Sequence, residues 1–248
     1  MSIKKFVFTV ILTLLLSISF NGLGENQLIL AASLEQRIIQ TYGEAEIAAK
    51  PDLAKISIAV ETKSKLANDA VEENSRIATM VINALLDFGL LENDIKTGSY
   101  RLHSYRELPR DNPNINEESI FYQAYNEIIV LTTQLDSVGE LIDLAVISGA
   151  NNINYISFEL KNPQVLMMQA LQMATEQAYL KAVSIAESAG ETVKELYSIR
   201  EEKTGYTPVR FGDTMIQREV ALSAAPTPIS PDDVTVRASV MAEFSLNN

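Results

Sequence analysis

Residues 51–62 read PDLAKISIAVET, and this stretch decides the fold class. Apolar side chains occupy every second position along it, namely Ala54, Ile56, Ile58 and Val60. This period of two is typical of a strand with one buried face. In residues 66–88 the apolar side chains recur at helical spacing, interrupted only by Asn74, and Gly89 follows as a stop. The stretch therefore predicts a protein that mixes strands with helices.

The remaining elements follow from the same patterns. Further strands are predicted over residues 37–42, 94–105, 120–132, 153–160, 193–201 and 234–246. Further helices are predicted over residues 137–148 and 163–189, each followed by a glycine. The order β-β-α-β-β-α-β-α-β-β lacks regular βαβ alternation. It favours an α+β fold, with mainly antiparallel or mixed sheets packed against two long helices and one shorter helix.

Three segments carry more specific expectations. Helix 163–189 presents a stripe of mostly small residues, which allows close approach to a sheet or to another helix, and its members are Met167, Leu171, Ala174, Ala178, Ala182, Ile185 and Ala189. Strand 94–105 has mixed polarity and is predicted to be an edge or interface strand. Residues 203–231 are rich in breakers and predict a long loop or crossover, a feature that is uncommon unless it is functional or disordered.

The composition excludes several classes of function. The chain has 248 residues and a net charge of -12, which argues against nonspecific binding to nucleic acid or to anionic lipid. It contains no cysteine and a single histidine, His103. Disulfides, thiol catalysis, iron–sulfur clusters and Cys/His zinc sites are therefore excluded, as is any serine triad that does not use His103.

The first 32 residues predict a secretory signal peptide. Lys4 and Lys5 precede an uncharged stretch over residues 6–20, which is too short to span a bilayer. Cleavage is expected after Gly24 or after Ala32, and the alternative is a segment retained as an anchor. The protein is thus predicted to be exported, to the periplasm, the cell envelope or the extracellular space, with no membrane span after signal removal. Residues 33–248 form the predicted domain.

Two sets of side chains suggest chemistry. A histidine is a common general base or metal ligand, but the sequence neighbours of His103, namely Arg101, Tyr105 and Arg106, favour a polar surface position over such a role. Three methionines cluster on one helix, Met167, Met168 and Met173. Core packing is the preferred interpretation, with a soft copper site or a sacrificial oxidation surface as alternatives.

Carboxylates form several local clusters: Glu44/Glu46/Asp52, Glu72/Glu73, Asp136/Glu140/Asp143, Glu201/Glu202 and Asp232/Asp233. None has the spacing of a calcium loop. A glycosidase-like pair would meet only in the fold, so a solvated acidic surface is preferred. Phosphate-binding loops and nucleophile elbows are also missing from the sequence. We therefore assign no catalytic, cofactor-binding or metal-binding residue and no cofactor.

Four strings resemble a known family in their order and spacing. They are YGEAE at residues 42–46 with KPDLA at 50–54, DIKT at 94–97, VGELID at 138–143 with GANNI at 149–153, and residues 178–190 followed by TPI at 227–229. Together they resemble the SIMPL-domain family, a domain of unknown function, over about residues 37–246. The sequence departs from the family pattern at Ala45 and within residues 191–193, where a glycine is common.

The resemblance implies an exported or periplasmic protein without an agreed enzymatic activity, in a family that includes oxidative-stress defence and immunogenic proteins. Some members of the family form homo-oligomers, so the resemblance also implies homo-oligomeric assembly as an expectation. We therefore expect a non-enzymatic, self-assembling scaffold or binding module of the cell envelope, with a role in stress defence. We expect it to act through sheet edges and residues 203–231. The alternatives are a carboxylate-dependent hydrolase of unknown substrate and a methionine-based oxidant scavenger.

Overall fold

The computed structural model describes residues 37–107, 119–211 and 229–247. The predicted signal peptide and its cleavage sites lie outside the described residues. In chain order the elements are β1 (Ile38–Ala49), β2 (Leu53–Ser64), α1 (Ala67–Phe88), β3 (Ile95–Glu107), β4 (Ser119–Thr132), α2 (Val138–Ile147), β5 (Asn152–Glu159), α3 (Gln164–Ser188), β6 (Val193–Thr207), β7 (Val209–Phe211) and β8 (Val234–Leu246). These helices and antiparallel sheets confirm the α+β class. None of the helices in these ranges is long and apolar enough to cross a membrane.

Strand β2 is the central strand of a five-stranded sheet with the order β3-β4-β2-β5-β7. The face that the alternating pattern predicted to be buried is buried, with Ile56, Ile58 and Val60 fully inaccessible to solvent. These side chains join residues of α1 and α2 in one apolar cluster that includes Leu85 and Leu141. The two helices therefore cover one face of this sheet.

Asn74, the polar interruption of the α1 stripe, belongs to this core. Its side chain is completely buried. Its Nδ2 donates hydrogen bonds to the carbonyl oxygens of Val60 (2.8 Å) and Ala124 (3.0 Å). These carbonyls belong to the paired strands β2 and β4, so one amide ties the helix to both strands. The interruption is therefore a buried polar cross-link rather than a defect in the helix.

The second sheet contains three strands in the order β1-β8-β6, with α3 packed across it. An alanine stripe of α3 faces this sheet and is fully buried at Ala170, Ala174, Ala178, Ala182 and Ala186. The stripe predicted from the sequence is wrong at Ile185 and Ala189, which are exposed because the buried side of the helix turns to Ala186 instead. Gly43 of β1 lies directly beneath the alanine stripe, where a Cβ atom would overlap the carbonyl oxygen of Ala174 and fall 2.8 Å from the amide nitrogen of Ala178. The alanine stripe therefore serves packing within the protomer.

Two strands run further than the sequence patterns predicted. Strand β1 continues past Gly43 to Ala49, because β8 pairs with it along its whole length. Strand β6 continues past Glu201 to Thr207, where it still pairs with β8. The short strand β7 then joins the other sheet by pairing with β5. The first part of the predicted loop 203–231 is thus mostly strand and links the two sheets, whereas residues 212–228 lie outside the described residues.

Candidate functional site

His103 lies on the outer face of the five-stranded sheet, which we define as the face opposite α1 and α2. It is exposed on β3, opposite Gln123 of β4. Its ring centroid is 6.3 Å from that of Tyr105, and the Arg101 guanidinium lies over the ring of Tyr125 instead (4.5 Å). Within the described ranges, His, Asp and Glu side chains form no group of three that could hold a metal ion.

The three methionines of α3 have different environments. Met167 is half-buried and packs against the core of the three-stranded sheet, as predicted. Met168 and Met173 are 48% and 49% exposed, so the core prediction is wrong for these two. The helix turns them away from the sheet, since the alanine stripe occupies its buried side.

The fold separates the first predicted carboxylate cluster. Glu44 and Glu46 line a surface groove of about 460 Å³, together with Lys203 and Arg237. Asp52 instead accepts a hydrogen bond from the backbone amide of Lys161 (2.6 Å). The hydrogen bond from Arg237 (2.8 Å) lowers the pKa of the Glu46 carboxyl. Glu46 and Asp52 therefore have separate partners and do not form one cluster.

The other predicted clusters lie at exposed or half-exposed positions, namely Glu72/Glu73, Asp136/Glu140/Asp143, Glu201/Glu202 and Asp232/Asp233. Glu73 pairs with Arg76 one helical turn later (2.7 Å). None of these carboxylates lines the groove of Glu44 and Glu46. Their placement matches the solvated acidic surface that the sequence favoured.

A polar network on the outer face of the five-stranded sheet was not predicted. Ser57 of β2 is fully buried and donates a hydrogen bond to Glu127 of β4 (2.5 Å). Asn154 of β5 donates hydrogen bonds to the Ser57 hydroxyl (2.9 Å) and to the hydroxyl of Tyr125 (2.6 Å). The residues come from three neighbouring strands, so their spacing along the chain gave no signal. The network ties the three strands together and leaves the Ser57 hydroxyl bound to a carboxylate.

Cations stack on aromatic rings elsewhere on the same face. The Lys55 ammonium and the Arg210 guanidinium lie 5.8 and 5.5 Å from the ring centroid of Tyr155. Lys63 lies 4.7 and 4.5 Å from the rings of Tyr105 and Phe121. Its hydrogen bond to Glu107 (2.7 Å) raises the pKa of Lys63. The outer face therefore carries cation–aromatic pairs beside its polar network.

Long edge strands are the other prominent surface feature. The mixed-polarity strand β3 lies at the edge of its sheet, as predicted, and β1 and β6 are the edges of the three-stranded sheet. Strand β6 has 15 residues, well above the usual strand length of about 5–6. Its side chains Leu196, Tyr197 and Ile199 are 50%, 57% and 45% exposed. In the described part of the chain, β6 pairs with β8 alone, which leaves its outer backbone edge available.

The family model for SIMPL, described as a protein of unknown function (DUF541), matches residues 39–244. This chain belongs to the SIMPL family. The match covers both sheets and all three helices, and it confirms the resemblance seen in the sequence strings. The SIMPL domain therefore includes the outer sheet face and the long edge strands.

Curated relatives of this SIMPL protein come from several bacteria. The 26 kDa periplasmic immunogenic protein of Brucella melitensis is 26% identical over 212 residues, which are 84% of each chain. The uncharacterized protein YggE of Edwardsiella ictaluri is 27% identical over 171 residues, 68% of this chain and 70% of the relative. The YggE protein of Escherichia coli K12 is 26% identical over 170 residues, 68% of each chain.

The strings that resemble the SIMPL family hold the fold together. Gly43 allows α3 to approach β1, and Asp52 binds the backbone at the start of the α3 connection. The Asn151 side chain accepts a hydrogen bond from the backbone amide of Glu61 (2.8 Å) and donates one to the carbonyl oxygen of the same residue (2.7 Å). It therefore pairs with β2 as the backbone of a neighbouring strand would. These residues secure strand ends and helix packing.

Proposed function

We propose that this SIMPL protein is exported and acts at the cell envelope as a non-enzymatic module that assembles with itself and binds partners through its sheet edges. The observation that carries the proposal is the outer edge of β6, with its three half-exposed apolar side chains. A strand edge presents unpaired N–H and C=O groups that another strand satisfies on binding. Half-exposed apolar side chains beside such an edge add area that is removed from water on assembly.

The surroundings of this edge support an interaction role. The polar groups of the outer sheet face are satisfied by one another, as in the network of Ser57, Glu127 and Asn154. Such a face suits contact with a macromolecule better than catalysis on a small substrate, since catalysis needs a positioned acid, base or nucleophile. The strongly acidic composition also disfavours nucleic acid as the partner.

The relatives support the proposed location. The Brucella protein is named as a periplasmic protein, and the alignment covers 84% of each chain. An exported protein without cysteine gains no stability from disulfides. Assembly would supply stability by mass action, because binding between folded copies shifts the folding equilibrium towards the native state.

We expect the mature protein, residues 33–248, to self-associate at micromolar concentration. Size-exclusion chromatography with light scattering should give a mass at least twice that of the protomer. Dilution should shift the distribution towards the protomer if the assembly is reversible. A clean monomer throughout the micromolar range contradicts the proposed function.

The exposure of two methionines favours methionine-based oxidant scavenging as a second candidate function. The side chains of Met168 and Met173 are about half exposed, so an oxidant reaches their sulfur atoms without unfolding of the protein. After mild peroxide treatment of the folded protein, mass spectrometry should show sulfoxide at these two residues before the half-buried Met167, and methionine sulfoxide reductase should reverse it. Equal or no oxidation at the three sites counts against this function.

A further inference from the structure

A bulge in β6 places two apolar side chains on the same face of the strand. Leu196 lies opposite Phe244 of β8, and Ile199 lies opposite Ala242. Both β8 residues belong to the core under α3, so Leu196 and Ile199 share the α3 side of the sheet. Residues three apart in a regular strand point to opposite faces, but the register shift between Leu196 and Ser198 inserts Tyr197 as an extra residue.

The same bulge places two opposite charges on the other face of β6. Glu195 lies opposite Ser245, and Arg200 lies opposite Met241, both on the side away from α3. Glu195 contacts Lys194, its sequence neighbour, at 3.6 Å, and both side chains are exposed. An exposed pair of this kind contributes little to stability, so Glu195 remains free to exchange partners.

We propose that β6 pairs antiparallel with β6 of a second copy of this chain, about a two-fold axis that passes between Tyr197 and Ser198. This inference rests on the proposed function and names the surface and the partner. An axis normal to the sheet keeps each side chain on its own face. It sets Leu196 opposite Ile199 of the second copy on the α3 side, and Glu195 opposite Arg200 of the second copy on the other side.

A two-fold axis repeats each contact, so every complementary pair in this interface forms twice. Two apolar pairs and two ion pairs form, and the two three-stranded sheets become one continuous sheet. The outer N–H and C=O groups of β6 gain partners, and Leu196 and Ile199 lose their exposure to water. The pairing thus provides partners both for the outer backbone groups of β6 and for its exposed apolar side chains.

The two faces of β6 also select this register. Residues opposite each other in an antiparallel pair lie on the same face of the sheet. An axis moved to Ser198 would set Glu195 opposite Glu201, but Glu201 lies opposite Val240 on the α3 side and Glu195 lies on the other side. The same shift would set Leu196 opposite Arg200, which also lie on different faces. The neighbouring register therefore mismatches the faces of the two strands, and the proposed register matches them.

Charge reversal provides the first test. Glu195→Arg or Arg200→Glu alone sets like charges opposite each other at both symmetry-related pairs, and each variant should self-associate at least 10-fold more weakly in a sedimentation dilution series. The double variant Glu195→Arg/Arg200→Glu restores opposite charges and should recover wild-type assembly. An equimolar mixture of the two single variants should also assemble, since each supplies the charges that the other needs. Circular dichroism of every variant checks that the protomer stays folded.

Cross-linking provides a second test that does not depend on charge. The chain contains no cysteine, so a single Ser198→Cys substitution gives an unambiguous probe. Next to the axis, two copies of residue 198 lie about 6 Å apart at their Cα atoms, within the range of a disulfide. Mild oxidation should give a disulfide-linked dimer of this variant. The control Ser184→Cys, exposed on α3, should give none.

The outcomes separate this inference from the proposed function. A monomeric wild-type protein overturns self-assembly as a whole. A wild-type assembly that resists both single charge reversals, with no cross-link through residue 198, overturns the β6 pairing and leaves self-assembly through another surface. Loss of assembly in the single variants, recovery in the double variant and a specific cross-link support the pairing.

Discussion

The Gly43→Ala substitution is expected to lower the free energy of unfolding by about 3 kcal/mol, near the upper end for the overpacking of a core. An added Cβ would overlap the carbonyl oxygen of Ala174 and lie 2.8 Å from the amide nitrogen of Ala178. Both atoms belong to the backbone of α3, so no rotamer change relieves the overlap. Helix and strand must move apart, which loosens the alanine stripe. Urea titration followed by circular dichroism measures the loss.

Gly205→Ala is the matched control for this prediction. Gly205 also lies in a strand of the three-stranded sheet, and a Cβ there meets no atom within 4 Å. Alanine reduces the conformational freedom of the unfolded chain, so this variant should be neutral or slightly stabilised. Alanine brings the same entropic gain at Gly43. A net decrease in the free energy of unfolding of Gly43→Ala therefore measures the cost of the contact with α3. Equal stability of the two variants would contradict the close approach of helix and strand.

We expect Asn74→Asp to destabilise the protein by at least about 3 kcal/mol at neutral pH. The change keeps the shape of the side chain but replaces an amide donor with a carboxylate oxygen. That oxygen would face the carbonyl oxygens of Val60 and Ala124 in a completely buried site. A charge buried beside two acceptors is desolvated without compensation. Thermal and urea unfolding measure the deficit.

The pH dependence of this deficit has a definite sign. Burial raises the pKa of the introduced carboxyl in the folded state above its unfolded value of about 4. The deficit should therefore be smallest below about pH 4, where both states are protonated, and should grow as pH rises towards the folded pKa. Asn83 is exposed on the same helix, so Asn83→Asp is the control. It should change the free energy of unfolding by less than about 0.5 kcal/mol. A deficit at Asn74 that does not vary with pH contradicts this account.

Local patterns were informative where one face of an element is buried and the other is exposed. The alternation in β2 and the helical spacing in α1 predicted their buried sides, because burial of apolar side chains imposes a period of two or of 3.6 residues. The patterns did not predict the length of a strand where pairing with a neighbouring strand determines that length. Gly43 resembled the end of a strand, yet β8 pairs with β1 on both sides of it. The exposed β6 has no clear alternation beyond Glu201, and β8 extends it as well.

The polar residues also divide into those whose position the sequence predicted and those that only the fold brings together. The sequence indicated that His103 would lie on a polar surface, and the chain places it on an exposed strand face. It gave no sign that Ser57, Glu127 and Asn154 would meet, since three different strands carry them. Asn74 looked like an interruption of the helix, although its amide reaches two strand carbonyls. Contacts between distant segments have no fixed spacing along the chain, so periodicity does not reveal them.

The sequence by itself determined the α+β class, the buried faces of β2 and α1, and membership of the SIMPL family, because these depend on local patterns and on ordered motifs. Its lack of cysteine also excluded thiol and disulfide chemistry. Only the tertiary structure decided that the alanine stripe of α3 is used inside the protomer, over Gly43, and that β6 pairs with β8 alone among the described residues. The physical reason is that strand pairing and helix approach are set by the partner across the sheet. A bulge in β6, seen only in its register with β8, then brings Leu196 and Ile199 to one face.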